Sequence, residues 1–368
     1  MKALILVGGF GTRLRPLTLN KPKPLVPFCN KPMLVHQIEA LKEVGVDEVV
    51  LAIAYRPDAM KAEMDSWGEK LGVKIHYSHE TTPLGTAGPL ALAREFLEGG
   101  DEPFFVLNSD VTCRFPMKEL LTFHKQHKGE GTIMVTKVTE WQKYGVVVYD
   151  TESGLIDQFV EKPKKFVGDK INSGIYIFNQ SILKRIPLEK TSIETQVFPQ
   201  MAADKTLFAM ELEGFWMDIG QPHDYLDGLG KYLPSLVGSN RESLLMTEKE
   251  AESRGFSVIG CVLIDPSAVI GKGCVLGPNV TVDKDCKIGE HCRISQTAIL
   301  EGSIVECGCC INKSIIGWFN RIGKWCHIGN NTVLGEDVAI KAELYINGAK
   351  VLPHKGIGAS VEKPEVIM

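Results

Sequence analysis

The residues with the clearest chemical potential lie near the start of the chain, in Leu6-Val7-Gly8-Gly9-Phe10-Gly11-Thr12-Arg13-Leu14-Arg15-Pro16-Leu17-Thr18 and the following Lys21-Pro22-Lys23-Pro24. Glycines lack a Cβ, so such a turn reaches φ > 0 and brings backbone N–H groups close to an anion. Arg13 and Lys23 add two fixed cations. Together these are the parts of a triphosphate site. The spacing excludes two common phosphate loops: Gly-x-x-x-x-Gly-Lys-Ser/Thr is missing, and Gly9-Phe10-Gly11 runs into Thr-Arg-Leu-Arg-Pro instead of the Gly-x-Gly-x-x-Gly that opens a dinucleotide-binding helix.

Such a loop needs a strand before it. The apolar run Ala3–Val7 has the length and composition of a buried parallel strand. Similar runs at Glu48–Ala54, Val73–Ser78, Phe104–Asn108, Thr132–Thr136 and Gly145–Val148 alternate with helical patterns, such as Pro32–Val44 with Leu34, Ile38 and Leu41 on one face. This rhythm predicts an α/β domain with a Rossmann-like, mostly parallel sheet, whose ligands bind past the carboxyl ends of the strands. Asp110, after Leu107-Asn108-Ser109, and Asp218, between apolar neighbours in Phe215–Gly220, are carboxylates suited to Mg²⁺, a cation that takes one or two carboxylates and fills its shell with phosphate and water. Glu161, Lys162 and Asn172 end β-like runs; Glu161 can accept sugar hydroxyls, Lys162 can face a sugar phosphate, and Asn172 can do either.

The 368 residues exceed what one core usually holds, so two domains are expected. A net charge of −4 with both signs mixed gives no basic stripe for nucleic acid or a membrane, and points to a small substrate. No long apolar run or leader is visible, and the ten cysteines have an explanation other than disulfides, so a cytoplasmic setting is expected.

That explanation is a repeat. Ile264, Ile270, Leu276, Val282, Ile288, Ile294 and Leu300 recur every six residues, and the series resumes at Val305, Ile311, Ile316, Ile322, Ile328, Leu334 and Ile340. This period marks a left-handed parallel β-helix. Cys274, Cys286, Cys292, Cys309 and Cys326 each fall four places after a large aliphatic residue, where a small inward side chain is needed. The predicted organisation is a nucleotide and sugar-phosphate domain over 1–233, a linker with one helix over 234–257, and the β-helix over 258–368. The open ends and edges of such a coil favour homo-oligomerisation.

The chain resembles the sugar-phosphate nucleotidyltransferases, most closely the mannose-1-phosphate guanylyltransferases of the short eukaryotic catalytic type. The match runs from the Gly8–Thr18 loop through Phe159-Val160-Glu161-Lys162-Pro163 to Ile367-Met368. The resemblance implies transfer of GMP from GTP to α-D-mannose 1-phosphate, giving GDP-mannose and pyrophosphate. It implies that Arg13 and Lys23 contact the nucleotide phosphates, that Gly8, Gly9, Gly11, Thr12 and Asn108 complete the nucleotide site, and that Asp110 and Asp218 hold Mg²⁺. By the same resemblance Gly145, Glu161, Lys162, Asn172 and Asp218 serve the sugar phosphate, with Arg13, Lys23 and Lys162 as the catalytic cations. A paralogous regulatory subunit is a possible partner.

Base choice has its own physical basis. Glu80, in Ser78–Gly88, is a carboxylate that only accepts hydrogen bonds, and guanine offers two adjacent donors, N1–H and N2–H₂. With backbone groups of Leu6 and Gly85, Glu80 points to guanine; the alternative is a solvated loop acid. Nothing in Glu161 or Asn172 separates an axial from an equatorial 2-hydroxyl, so glucose 1-phosphate with ATP or UTP is the rival pairing. A non-catalytic regulatory subunit of the same architecture would have lost phosphate-loop or carboxylate residues, whereas Arg13, Lys23, Asp110, Lys162 and Asp218 are all present. Acyl transfer through His291, His327 or His354 lacks a partner group beside those histidines.

Overall fold

The computed structural model describes residues 1–368 apart from Phe10, Tyr55 and Arg56. The chain divides into two compact units that do not follow sequence order: Met1–Gly9 with Leu34–Trp216, and Phe10–Met33 with Met217–Met368.

The first unit is built on a nine-stranded sheet. Its elements are β1 (Lys2–Val7), α1 (Met33–Glu43), β2 (Glu48–Ile53), α2 (Pro57–Leu71), β3 (Lys74–His79), α3 (Gly88–Leu92), β4 (Phe104–Asn108), α4 (Met117–Gln126), β5 (Gly131–Lys137), β6 (Gly145–Tyr149), β7 (Ile156–Glu161), β8 (Lys170–Phe178) and β9 (Leu207–Glu211). The strand order is β7-β6-β8-β4-β1-β2-β3, with β5 pairing both β8 and β9. Strands β4, β1, β2 and β3 run parallel, while β8 is antiparallel to β4 and β5. Ala3, Leu4 and Ile5 are wholly buried, which is why β1 is apolar on both faces. One layer of the core is aromatic, with Tyr176, Phe178 and Phe198 in mutual ring contact.

The second unit contains the turn over Thr12–Leu14, another over Lys23–Leu25, and helix α5 (Pro222–Ser235). The stretch expected as a linker holds a short turn, Glu242–Leu244, and a helix, Glu248–Ser253, started by a capping box between Thr247 and Glu250. Beyond it the chain winds into the expected left-handed β-helix, with parallel strands of two or three residues stacked into sheets of six, seven and six strands.

One detail of the repeat differs from the sequence reading. Val282 stacks on Ile299, and Ile299 on Ile316, so Ile299 and not Leu300 is the inward residue of that coil. The five-residue step therefore comes before residue 299, and it recurs from Ile311 to Ile316. Leu300 is buried as well, at 1 % exposure, so composition could not reveal the slip. The five repeat cysteines are buried as expected, and they also donate hydrogen bonds: Cys274, Cys292, Cys309 and Cys326 reach the carbonyls of Gly289, Glu306, Gly323 and Lys341 at 3.0 to 3.2 Å. At one corner a bare glycine lies under an aromatic ring of the next coil: a Cβ on Gly308 would stand 2.4 Å from the Trp325 ring.

Candidate functional site

Strand ends gather the predicted residues of the first unit. Leu6 pairs with Asn108 across β1 and β4, and Ser109 N–H donates to the Leu6 carbonyl at 3.3 Å. Gly8 and Gly9 follow; Gly9 has φ +89°, and a Cβ on either would meet nothing within 4 Å, so the backbone is open to a ligand. Phe10 lies outside the described residues. Asp110 is half-buried in the turn after β4. The wholly buried Gln37 of α1 fixes this turn, its amide donating to the carbonyls of Asn108 (2.8 Å) and Val111 (3.0 Å).

Four sugar-side candidates, Gly145, Glu161, Lys162 and Asn172, lie at the same sheet. Gly145 and Glu161 face each other across β6 and β7, and Ile171 pairs with Val146, which puts Asn172 beside them. A Cβ on Gly145 would stand 2.8 Å from Glu161 Oε2 and 2.5 Å from the Phe159 ring, so only glycine fits under that carboxylate. Lys162 leaves the strand with φ +44° and pairs with Glu161 Oε1 at 3.1 Å, its side chain mostly exposed. The Asn172 amide is held at both ends: Gly174 N–H donates to Oδ1 at 2.9 Å, and Nδ2 donates to the Tyr176 hydroxyl at 2.8 Å. Gly174 has φ +78°, and a Cβ there would stand 2.7 Å from Asn108 Nδ2, so Asn108 and the Asn172–Gly174 turn are neighbours. Burial pushes the Tyr176 phenol above the ordinary tyrosine range, which keeps it protonated.

Glu80 is not a solvated loop acid. It is buried at 9 % exposure, follows β3 with its N–H on the Ile53 carbonyl, and accepts the Leu84 N–H on Oε2 at 3.0 Å. The same turn places Gly85 at φ +77°, where a Cβ would collide with the Thr191 carbonyl at 2.4 Å. The bonds that pin it, Thr191 N–H to Leu84 O and Ala87 N–H to Thr191 O, are made by its flanking residues.

The second unit carries Gly11, Thr12, Arg13, Lys23 and Asp218. Gly11 has φ +61°, which strains any side chain, and a Cβ there would be tight, 3.0 Å from Thr18 and 3.1 Å from Lys23 Cβ. Thr18 donates its hydroxyl to the Gly11 carbonyl at 2.6 Å, closing the loop. Thr12 and Arg13 are exposed, and Lys23 is half-buried. Arg13 and Asp218 converge over Gly220: a Cβ there would stand 3.1 Å from Arg13 Nη2 and 3.2 Å from Asp218 Oδ1. A guanidinium and a carboxylate thus share one bare backbone position.

The donor chemistry fits Mg²⁺. Asp110 and Asp218 offer hard carboxylate oxygens, the donor type Mg²⁺ takes alongside phosphate and water.

Sequence reasoning missed Gln37, Tyr176 and Gly220. A glutamine on the buried face of α1 was a usable signal, because a buried amide needs partners. Tyr176 and Gly220 lie inside the motifs that point to Asn172 and Asp218, and nothing in their own types announces a role.

The nucleotidyl transferase family model matches residues 2–234, and the model described as the GMPPB C-terminal domain matches residues 258–367. The chain is 60% identical over 368 residues to the mannose-1-phosphate guanylyltransferase catalytic subunit beta of Dictyostelium discoideum, covering 100% of both chains. It is 55% identical over 368 residues to the protein of that name from Xenopus tropicalis, again with 100% of both chains covered. Among solved structures, that of HddC from Yersinia pseudotuberculosis complexed with GMP-PN is similar with a TM-score of 0.53 and 28% identity, over 63% of this chain and 99% of that one. The chain belongs to the nucleotidyl transferase family, among the mannose-1-phosphate guanylyltransferases.

Proposed function

We propose that this protein transfers GMP from GTP to α-D-mannose 1-phosphate, releasing pyrophosphate and forming GDP-mannose. The observation that carries the reading is full-length identity of 54% to 60% with proteins bearing that enzyme name. Two further facts support the choice of base: HddC was solved in complex with GMP-PN, a guanine nucleotide, and Glu80 is buried and accepts hydrogen bonds only.

In the proposed step an oxygen of the sugar phosphate attacks the α-phosphorus in line; the new P–O bond forms as the bond to the β-phosphate oxygen breaks, and pyrophosphate leaves. A phosphate monoester is largely dianionic near neutral pH, so the chain needs neither a nucleophile nor a general base; its task is positioning and charge neutralisation. Arg13 and Lys23 bind the nucleotide phosphates, with Gly8, Gly9, Gly11 and Thr12 presenting backbone to them. Asn108 belongs to the nucleotide side. Glu80, with backbone groups of Leu6 and Gly85, reads guanine. Glu161 accepts sugar hydroxyls over Gly145, Asn172 and Asp218 complete the sugar side, and Lys162 aligns the attacking phosphate. Asp110 and Asp218 would hold Mg²⁺, which would supply positive charge for the leaving pyrophosphate.

The domain reading that accompanies this function is a catalytic region over 1–233, a linker over 234–257 and the coil over 258–368. The chain acts as a homo-oligomer through the β-helix, whose surface exposes Phe319 and Trp325. The name "catalytic subunit beta" carried by two relatives supports a paralogous regulatory partner. Its ten unpaired cysteines suit the reducing cytoplasm, and among the described residues no helix is long and apolar enough to cross a membrane. The test is pyrophosphate release with GTP, ATP and UTP, each offered mannose 1-phosphate or glucose 1-phosphate. The expected result is turnover concentrated in the GTP and mannose 1-phosphate pair; faster turnover of any other pair overturns the assignment.

A further inference from the structure

The loop that carries Arg13 and Lys23 belongs to the same compact unit as the β-helix, far away in sequence. Its base is held by α5: the buried Tyr225 donates its hydroxyl to the Pro27 carbonyl at 2.5 Å, and Phe28 packs edge-on against Tyr225 and Tyr232 at 5.3 and 5.5 Å. The coil holds the rest. Asn30 Nδ2 donates to the Val282 carbonyl at 2.8 Å, Lys21 Nζ lies 5.4 Å from the centre of the Trp318 ring, and Asn20 Nδ2 donates to Glu336 Oε2 at 2.7 Å.

These three contacts climb one side of the coil. Val282, Ile299, Ile316 and Leu334 stack in one sheet, and Trp318 and Glu336 each come two residues after the last two of them. Asp337 N–H donates to the Trp318 carbonyl at 2.8 Å, so the two contact residues sit on adjacent coils. At a strand spacing of ~4.8 Å, residues 20–30 run roughly 14 Å along the coil axis. The two contacts at the far end involve charged side chains: an amide on a carboxylate and an ammonium on an indole face. They fall two and three residues before Lys23, whose Cβ packs against Gly11, the residue that opens the turn bearing Arg13.

We infer that the β-helix serves the nucleotide site directly, Glu336 and Trp318 being positioning residues that fix Lys23 and, through Gly11, Arg13. The inference rests on the reading of Arg13 and Lys23 as ligands of the nucleotide phosphates. A coil that served only assembly would leave nucleotide affinity indifferent to these side chains.

The test uses the full-length protein and three variants, Glu336→Ala, Glu336→Gln and Arg13→Ala, with steady-state kinetics varying each substrate in turn and a melting curve for each. Glu336→Ala is expected to raise KM for GTP by roughly five- to tenfold, less than the full worth of a hydrogen bond to a charged group because this one is solvent-exposed, with KM for mannose 1-phosphate within about twofold. Glu336→Gln keeps an acceptor for Asn20 and restores most of the loss. An unchanged KM for GTP in Glu336→Ala, alongside a loss of about 10²-fold in Arg13→Ala, overturns the inference and leaves the functional reading standing. Parallel rises in both KM values with a lowered melting temperature also overturn it, because that is what a purely structural contact does. An Arg13→Ala variant with unchanged kinetics overturns the reading of Arg13 as a phosphate ligand, on which the inference rests, and leaves the reaction itself to the pyrophosphate-release test.

Discussion

Replacing Glu80 with glutamine tests the origin of base selection most sharply, because the structure limits what the new side chain can do. Oε2 of Glu80 is committed to the Leu84 N–H at 3.0 Å, and the side chain is buried at 9 % exposure. A glutamine that keeps this bond turns its oxygen to Leu84 and its NH₂ toward the ligand, where the donor edge of guanine meets a donor. A glutamine flipped the other way serves guanine with its oxygen but sets its NH₂ against Leu84 N–H. Either orientation loses one charge-assisted hydrogen bond, worth about 1.5–3 kcal/mol, or roughly ten- to a hundredfold in kcat/KM for GTP. The NH₂-outward form is suited to a base edge that presents an acceptor, so ATP and UTP should gain relative to GTP. The assay is pyrophosphate release with each nucleotide at fixed mannose 1-phosphate, with a melting curve to confirm that the turn survives. If the ratios among GTP, ATP and UTP are unchanged in a stably folded variant, Glu80 is only a turn-forming residue and has no part in reading the base.

Gly220→Ala puts a methyl group 3.1 Å from Arg13 Nη2 and 3.2 Å from Asp218 Oδ1, and is expected to lower kcat by about tenfold or more by displacing charge stabilisers; an unaltered kcat separates these two side chains from the reaction. Gly145→Ala forces both the Phe159 ring and Glu161 to shift, since the Cβ would stand 2.5 Å from the ring and 2.8 Å from Oε2, and KM for mannose 1-phosphate should rise at least several-fold, roughly the loss of one hydrogen bond, with KM for GTP little changed and a melting curve reporting the cost of moving the ring. Removing divalent cations with a chelator should abolish turnover, and adding Mg²⁺ should restore it; turnover that persists refutes the roles of Asp110 and Asp218. Burial, reinforced by the neighbouring His124, holds the His127 imidazole down at about 4, below its ordinary value near 6.5. Protons therefore bind the unfolded chain first as pH falls, and stability is lost between about pH 6.5 and 4, by up to about 2 kcal/mol after allowance for partial exposure. Urea unfolding at pH 7 and pH 5 should show this slope flattened in His127→Gln, and an equal slope removes His127 as its source.

The parts of the molecule set by short-range pattern were readable before any coordinates. The β-helix followed from an inward aliphatic residue every six positions, and the sheet from apolar runs ending in Asn108 or beginning at Gly145. The repeat misled only at Leu300, where two adjacent aliphatic residues are both buried and register alone distinguishes them. Glu80 shows a different limit: its type gave the chemistry, but its burial depends on the Leu84 N–H and the Gly85–Thr191 contact, which the local sequence does not announce. Least visible was the association of residues 10–33 with the C-terminal unit. That is decided by pairs such as Asn20 and Glu336, separated by 316 positions, and no window-based reading spans such a distance.

The same separation dictates an order of events during synthesis. A ribosome adding ~5–20 residues per second needs roughly 15 to 60 seconds to travel the 316 positions from Asn20 to Glu336. Throughout that interval the nascent chain has made Arg13 and Lys23 but not all of the coils on which their loop comes to rest. The segment bearing Arg13 and Lys23 is therefore made long before its seat is complete, and a ribosome stalled before Glu336 holds a chain whose phosphate loop still lacks the contact at Asn20.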